Sequence, residues 1–276
     1  VKSFIIGESG LDDSGNEVLF NVTTGEKKIV NAKNLVRVDD DTMKYYNEVG
    51  FQFSNKTQKY NTQRASFVSA LSTADKIDQV LARNPNAATM QASFIGALKS
   101  AQNELGSAYD LYSELGATAT GVEEALKSGK GQDAKRYADA FQEKIDGLLS
   151  RSGKSLAEDQ LLYSALKTSI GYQIAASYGQ EGNALSEKEV RRFTDMVGGS
   201  TRETITKSMQ NALSISFNNL ESVRVGLNND MAQPNEHLKK VLGGEGVKTG
   251  FELERMEKHL AKMDKETFTR LNKWLI

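Results

Sequence analysis

The sequence predicts a mainly α protein: an elongated helical bundle that follows a small N-terminal antiparallel β segment. Capping patterns of the Ser/Thr-x-x-Glu type recur from residue 120 onward, and apolar residues repeat there every three to four positions. Both prolines stand where a helix is expected to begin or end, whereas residues 1–38 hold short β-prone runs separated by turn residues.

Residues 1–45 are predicted to form the small β-rich segment. Gly, Asp and Asn residues between the β-prone runs supply the chemistry that reverses a chain between antiparallel strands. A segment this short buries little surface by itself, so we expect it to pack on the rest of the chain or on a partner. The predicted strands are residues 4–7, 17–22, 28–30 and 35–38.

Residues 46–84 are predicted to comprise a polar linker and a first helix, and residues 85–233 the bundle itself. The first helix should end near Arg83, because Asn84-Pro85-Asn86 follows it. Amphipathic stretches at 134–149, 156–178 and 205–227 are separated by Gly-containing breaks, as antiparallel packing of neighbouring helices requires. The predicted helix starts are the capping boxes Thr120-x-x-Glu123, Ser155-x-x-Glu158, Ser186-x-x-Glu189 and Ser200-x-x-Glu203.

Residues 234–276 are predicted to form C-terminal helices, broken at Gly243-Gly244-Glu245-Gly246, that continue into a longer chain. This part holds the only tryptophan, Trp274. At the other end the sequence starts at Val1 rather than at a methionine and runs directly into a β-prone stretch. We therefore expect a processed product or a piece of a longer polypeptide.

The composition excludes several classes of function. Thirty-five Lys and Arg residues balance 36 Asp and Glu residues, so there is no bulk electrostatic attraction to nucleic acid or to an anionic membrane. The lack of cysteine excludes disulfide frameworks, Cys-type zinc sites, iron–sulfur clusters and thiol nucleophiles. The longest uncharged apolar-leaning stretch, 170–178, is far shorter than the roughly 20 residues of a membrane-spanning helix.

Stretches that resemble catalytic or ligand-binding motifs fail on spacing or context. Residues 147–155 mimic a P-loop, but five residues rather than four separate the glycines and a helix precedes them, so we interpret the stretch as a helix–helix turn capped by Ser155. The acidic run Asp39-Asp40-Asp41 lacks the alternating acids of an EF-hand loop and is interpreted as a linker or helix start. His237 and His259 lie among Lys and Glu residues and are interpreted as surface residues.

The basic doublets do not indicate a nucleic-acid site either, because acidic residues flank most of them. We interpret Lys27-Lys28, Arg191-Arg192 and Lys239-Lys240 as solvated faces. The many carboxylates offer numerous pairs for acid–base chemistry, and nothing in the sequence selects one pair. The sequence therefore predicts no enzyme, no catalytic, cofactor-binding or metal-ligating residue, and no cofactor.

One stretch carries a resemblance to a family. Residues 170–190, IGYQIAASYGQEGNALSEKEV, are followed by Met196-Val197-Gly198-Gly199. This stretch resembles a helix–loop–helix segment of the large internal virion proteins, or ejection proteins, of tailed bacteriophages. In that family a Tyr/Ala-rich helix ends in a Gly-containing loop, an acidic capped helix ending in Gly-Gly follows, and a long helix comes next. The resemblance covers roughly residues 165–227 and includes no catalytic signature.

The resemblance implies a structural virion protein that assembles with copies of itself and with other virion proteins into a multi-copy complex for genome delivery. DNA in the delivery conduit and the host cell envelope are the further contacts that it implies, and it implies no small-molecule ligand. The absence of cysteine is compatible with a protein that crosses redox compartments. Two alternatives stay open: a peptidoglycan-degrading, lysin-like hydrolase that uses an acid pair, and a helical secreted module that interacts with the host.

Overall fold

Most residues of this chain that the structure describes lie in helices. A computed structural model describes residues 9–11, 17–20, 27–29, 40–89, 93–151, 155–179, 186–241 and 265–275. The mainly α class predicted from capping patterns and apolar periodicity is confirmed. The chain divides into two units: residues 1–58 with 224–262, and residues 59–223 with 263–276.

The first unit contains three short strands, β1 (Ser9–Leu11), β2 (Glu17–Phe20) and β3 (Lys27–Ile29). They pair antiparallel in the order β1-β2-β3, with Gly10 opposite Val18 and Val18 opposite Ile29. The strands predicted at 4–7 and 35–38 lie outside the described residues. Two helix ends complete the described part of this unit, and an ion pair of 2.5 Å between Lys56 and Asp230 joins them.

The helices account for the remaining elements. Two 3₁₀ turns, Pro85–Thr89 and Gly106–Ala108, connect helices of the second unit. The α-helices, in chain order, are α1 (Asp40–Arg83), α2 (Phe94–Ser100), α3 (Gln102–Leu105), α4 (Tyr109–Lys127), α5 (Gly131–Leu149), α6 (Leu156–Ser177), α7 (Glu187–Met196), α8 (Arg202–Val241) and α9 (Lys265–Trp274).

Two helices are longer than the sequence predicts. Helix α1 begins at Asp40, so the stretch interpreted as a polar linker is helical, and the acidic run at 39–41 overlaps a helix start. Helix α8 passes through Pro234, where the sequence analysis placed a boundary, and ends at Val241. Extending an existing helix needs no new nucleus, so a stretch with weak periodicity becomes helical when the adjoining residues are helical, as in α1. In α8 the interior proline removes one backbone hydrogen bond without ending the helix.

Two of the four predicted capping boxes form as predicted, at Ser155–Glu158 and Ser186–Glu189. The prediction at Thr120 is wrong: Thr120 lies inside α4, where its hydroxyl donates to the carbonyl of Gly116 at 3.0 Å. The last box is displaced by one residue. Thr201 and Thr204 cap α8 reciprocally, with backbone N–H to hydroxyl distances of 3.2 and 3.1 Å.

Helix α6 is the centre of the second unit. Apolar side chains face almost every direction around it, and Leu162, Leu166, Ile170 and Ile174 are all fully buried. A helix that is apolar all round is surrounded by other helices. Helix α6 packs against α2, α5 and α7. The hydroxyl of Ser177 on α6 shares a hydrogen bond with the hydroxyl of Ser216 on α8, and Asp159 on α6 forms an ion pair with Arg83 of α1. The helices of the second unit therefore pack around α6, one of the three amphipathic stretches predicted from the sequence.

Candidate functional site

A groove of about 470 Å³ opens in the second unit between α1, α4, α5, α6 and α7. Small residues of α1, including Ala65 and Ser66, line one side, whereas Gln142 of α5 and Thr168 and Tyr172 of α6 line the other. This volume lies within the range of ligand-binding clefts. Hydroxyl and amide side chains are the largest group among its lining residues, although apolar atoms contribute most of its surface, and we call it the polar groove.

Three side chains form a hydrogen-bonded network in the wall of the polar groove. The Ser169 hydroxyl donates to Oε1 of Gln142 at 2.5 Å, and Nε2 of Gln173 donates both to that oxygen and to Ser169 Oγ at 3.2 Å. Gln142 in turn donates to a carboxylate oxygen of Asp146 at 2.9 Å. The network joins α5 to α6 through polar groups. Because hydrogen bonds are directional, they restrict the relative position of the two helices more narrowly than apolar packing does.

Gln173 is incompletely satisfied in this network. Its Oε1 atom is shielded from solvent and accepts no hydrogen bond from any residue that the structure describes. A buried acceptor without a donor destabilises a fold by roughly 1–3 kcal/mol, and ordered water is the usual remedy. The Gln173 amide is therefore a position in the groove wall where a buried acceptor lacks a hydrogen-bond donor.

Acidic side chains at the rim of the polar groove differ in how they are used. Asp139 pairs with Lys135 at 2.6 Å, and Glu187 pairs with Arg191 at 3.3 Å, in each case within one helix. The carboxylates of Glu123 on α4 and Asp195 on α7 also line the groove. In the described ranges, neither of these two makes a hydrogen bond or an ion pair. They are therefore the rim carboxylates available to a ligand.

A second cluster of functional groups fastens α9 to α1. Asp75 accepts from Trp274 Nε1 at 2.9 Å and contacts Arg270 and Lys273, each at 3.0 Å. Asp78, one turn further along α1, contacts Lys273 at 3.2 Å and Arg202 of α8 at 2.7 Å. We call these six residues the Asp75 clasp. Its two carboxylates hold three cations and the indole of a fully buried tryptophan.

The clasp shifts the ionisation of its members. Burial alone raises the pKa of Asp78, but hydrogen bonds and charge attraction from Arg202 and Lys273 outweigh it, so the pKa lies below the usual value of 3.8. For Lys273, burial lowers the pKa, and the bonds to Asp75 and Asp78 outweigh that and raise it above 10.5. Both shifts favour the charged forms of Asp78 and Lys273.

A buried ion pair joins the end of α1 to the start of α6. Arg83 binds both carboxylate oxygens of Asp159, with Nε at 3.1 Å from Oδ2, and the Asp159 side chain is almost entirely buried. Nearby, burial raises the pKa of Tyr112, and burial likewise raises the pKa of Tyr163 to about 12. Both tyrosines are protonated at neutral pH. The Arg83–Asp159 ion pair therefore stabilises the packing of α1 against α6.

Among the residues weighed as phosphate, metal, acid–base or nucleic-acid candidates, those that the structure describes lie apart from the groove and the clasp, with one exception. Gly147 lies within α5 and Ser155 caps α6, as the interpretation as a helix–helix turn requires, and residues 152–154 lie outside the described residues. His237 lies on α8, and His259 lies outside the described residues. Arg191 is the exception, because it lines the rim of the polar groove. Its neighbour Arg192 stacks over Phe193.

Neither the Asp75 clasp nor the polar groove is marked by a pattern in the sequence. The clasp joins Asp75 to residues almost two hundred positions away, and no local pattern marks such a contact. The groove is lined by Ser, Thr and Ala residues that are equally common on solvated helix faces. One signal was available: Asp75 and Asp78 are acids at i and i+3 on an otherwise apolar-patterned helix.

Two further properties of the described residues bear on metal ions and membranes. Within the described ranges, no three His, Asp or Glu side chains are grouped so that they could hold a metal ion. Of the helices that the structure describes, none combines the length and apolar character needed to span a membrane. Comparison of the chain with protein-family models, with curated proteins and with solved structures gives no significant match.

Proposed function

We propose that this chain is a structural, non-enzymatic internal virion protein of a tailed bacteriophage, which assembles in several copies with other virion proteins for genome delivery. The proposal includes the partners that the resemblance implies: copies of the chain, other virion proteins, DNA in the conduit and the host envelope. It also includes an elongated form and a small β-rich segment at residues 1–45. Localisation in the virion, with delivery toward the host envelope, follows from the same role.

The order and capping of α6, α7 and α8 carry the proposal. The resemblance requires a Tyr/Ala-rich helix, a Gly-containing loop, a short acidic helix capped by Ser, a Gly-Gly corner and a long helix. Helix α6 is followed by α7 with its Ser186–Glu189 capping box, then by Gly198-Gly199 and α8. This arrangement is compatible with the family's segment, and each helix boundary follows from local chemistry in this chain.

Two exposed apolar side chains in the first unit are compatible with an assembly role. Phe51 on α1 is 69% exposed and Val225 on α8 is 46% exposed. Single exposed apolar residues are common on protein surfaces, so these two do not by themselves define an interface. In the second unit, Asp75, Asp78 and Asp159 pair with cations of other helices, which is a structural use of these carboxylates.

The proposal is tested by locating the protein in virus particles. Virions produced from the genome that encodes this chain are purified, treated with protease while intact, and analysed by mass spectrometry. We expect peptides from this chain to survive protease in intact particles and to be lost when the particles are opened first. Absence from particles contradicts the proposal. Recovery from culture supernatant instead favours the secreted host-interaction module.

A peptidoglycan hydrolase is the second candidate, and the polar groove is the observation that favours it. Glu123 and Asp195 are two carboxylates at one groove of suitable volume, and glycoside hydrolysis uses a pair of carboxylates. Zymography on peptidoglycan tests this candidate directly. The hydrolase is established if the wild type clears peptidoglycan and Glu123→Gln or Asp195→Asn abolishes the clearing. Asp133→Asn, which alters an exposed carboxylate, is the control and should still clear. The structural proposal predicts no clearing.

A further inference from the structure

One face of α8 lacks charge over an unusual length. No charged residue occurs from Ser208 to Leu220, although 26% of the chain is charged and about three charges are expected in thirteen residues. Ion-pairing residues precede the stretch, where Glu203 contacts Lys207 at 2.8 Å. The opposite side of this helix is buried, as Ile205, Met209 and Leu213 show. The uncharged residues on the remaining side therefore face solvent.

The outward residues follow a helical stripe with a symmetric composition. Ser208, Asn211, Ile215, Asn218 and Ser222 recur at alternating spacings of three and four, which places them on one side of the helix. Asn211, Asn218 and Ser222 are exposed, and Ile215 is 46% exposed. Ser208, at the end of the stripe, is half-buried, and its hydroxyl donates to the carbonyl of Gly198 at 2.8 Å. About Ile215 the residue types read the same in both directions. We call this stripe the uncharged α8 face.

We propose that the uncharged α8 face pairs with the same face of a second copy of this chain. The inference rests on the proposed assembly role and names the surface through which two copies meet. In a parallel pair each residue meets its own counterpart on the partner. In an antiparallel pair with the twofold axis at Ile215, Ile215 meets Ile215, Asn211 meets Asn218 and Ser208 meets Ser222. In both cases Ile, Asn and Ser each face their own residue type. Such an isologous contact requires a surface that complements itself.

Charge and hydrogen bonding favour a second copy as the occupant. A face without charge has no like-charge repulsion against itself, whereas a charged stripe would repel its own copy. Each asparagine amide carries donors and an acceptor, so two of them satisfy each other. The side chains of Asn211 and Asn218 make no hydrogen bond to another residue in the described ranges, which leaves both amides able to bond across the pair.

The shape of the face is compatible with this pairing. Met196, Ser208, Asn211, Ser214, Ile215 and Asn218 line a shallow depression of about 440 Å³. In a twofold pair the depression of each copy faces the side chains of the other, so Ile215 of one copy can be received by its partner. Four helical turns bury less than the roughly 1,200 Å² of a stable interface, so association should be weak and concentration-dependent.

The test is association of the full chain in solution. Light scattering across about 5–200 μM covers the affinity range expected of so small an interface. We expect the average mass to rise with concentration for the wild type and to stay at the monomer value for Ile215→Lys. Leu111→Lys is the matched control, because Leu111 on α4 is 43% exposed and receives the same charge. An equal mixture of Ile215→Lys and Ile215→Glu should associate again, since opposite charges then meet at the twofold axis.

A covalent version of the test is possible because the chain has no cysteine. Ile215→Cys treated with a mild oxidant should form a disulfide-linked dimer on a non-reducing gel, whereas Leu111→Cys should stay monomeric. Circular dichroism confirms that each variant is folded. A wild type that is monomeric at every concentration overturns the inference, as does association that Ile215→Lys leaves unchanged. The latter result rejects this face while leaving the proposed assembly role intact, which the virion experiment tests separately.

Discussion

Helices α6 and α9 both belong to the second unit, but different forces hold them. Helix α6 is surrounded by apolar side chains, and Leu161, Leu166 and Ile170 on it are fully buried. Of the described side chains of α9, from Thr269 onward, Trp274 alone is fully buried, and ionic contacts to Asp75 and Asp78 surround it.

The difference predicts different responses to the same perturbation. Apolar burial depends on the area removed from water and is insensitive to pH, so α6 should respond chiefly to changes of volume or polarity in the core. Partly exposed ion pairs are screened by salt and lost on protonation, so α9 should respond to pH and to single charges. Helix α9 is therefore expected to open before the core around α6 unfolds.

The largest expected effect comes from placing a charge beside α6. Leu166→Asp removes a fully buried side chain and leaves a carboxylate without a cation, which should cost about 5 kcal/mol or more of unfolding free energy. We expect the variant to be unfolded or far less stable in a urea titration. Leu156→Asp is the control, because Leu156 is 44% exposed at the first turn of α6, where a carboxylate is favourable. Equal losses in both variants would contradict the apolar core assigned to α6.

The next effect tests the ionic contact between Arg83 and Asp159 at the start of α6. Arg83→Ala leaves the buried carboxylate of Asp159 without its cation, and we expect a loss of about 2–3 kcal/mol of unfolding free energy. The loss falls below that of a fully buried pair because the guanidinium is half exposed. Adding Asp159→Asn should recover part of the loss, since it removes the stranded charge. Arg136→Ala, on an exposed pair with Asp133, should change stability by less than about 0.5 kcal/mol.

The contrast between α6 and α9 also explains what the sequence could predict. The stripe through Leu162, Leu166, Ile170 and Ile174 is a local periodicity, and the capping box at Ser155 is a pattern of four residues. Both signals lie within the element that they define, so they could be read without knowing the fold. The same holds for the end of α1 at Arg83, which the following proline determines.

The Asp75 clasp and the polar groove could not be predicted in this way. The partners of Asp75 are far along the chain, and Asp75, Arg270 and Lys273 each look like ordinary surface charges in sequence. The polar linker predicted at the start of residues 46–84 is helical because a helix can extend through a stretch with little periodicity once its neighbour is formed. The displaced cap of α8 shows a finer limit, since Thr201–Thr204 and Ser200–Glu203 are competing patterns one residue apart.

Acidification should release α9 before it affects the apolar core. The pKa of Asp78 is lowered in the folded state, so its contribution to stability is complete above its usual value of 3.8 and is lost as the pH falls through the lowered value. The raised pKa of Lys273 acts in the opposite direction, so its contribution is complete below 10.5 and is lost as the pH rises through the raised value. Emission of Trp274, the only tryptophan, should therefore be constant around neutral pH and shift to the red at the acidic end.

The fluorescence experiment has an internal control. Backbone hydrogen exchange of α6 should stay slow at the acidic pH where Trp274 becomes exposed, because Leu161, Leu166 and Ile170 carry no ionisable group. Asp78→Asn should remove the part of the acid transition that belongs to this carboxylate. Simultaneous exposure of Trp274 and loss of protection in α6 would show that the two helices unfold as one unit.

Replacing one carboxylate of the clasp should have the smallest effect. Asp75→Asn keeps an oxygen that can accept from Trp274 Nε1 but removes the charge that faces Arg270 and Lys273. We expect opening of α9 to become easier by about 1–2 kcal/mol, equivalent to roughly a tenfold loss of amide protection there. Protection in α6 should be unchanged, as it should be throughout for Asp139→Asn, which alters an exposed pair within α5. If Asp75→Asn leaves α9 as protected as before, then burial of Trp274 rather than charge holds this helix. In that case α6 and α9 differ in how much apolar surface they bury and not in the kind of interaction that holds them.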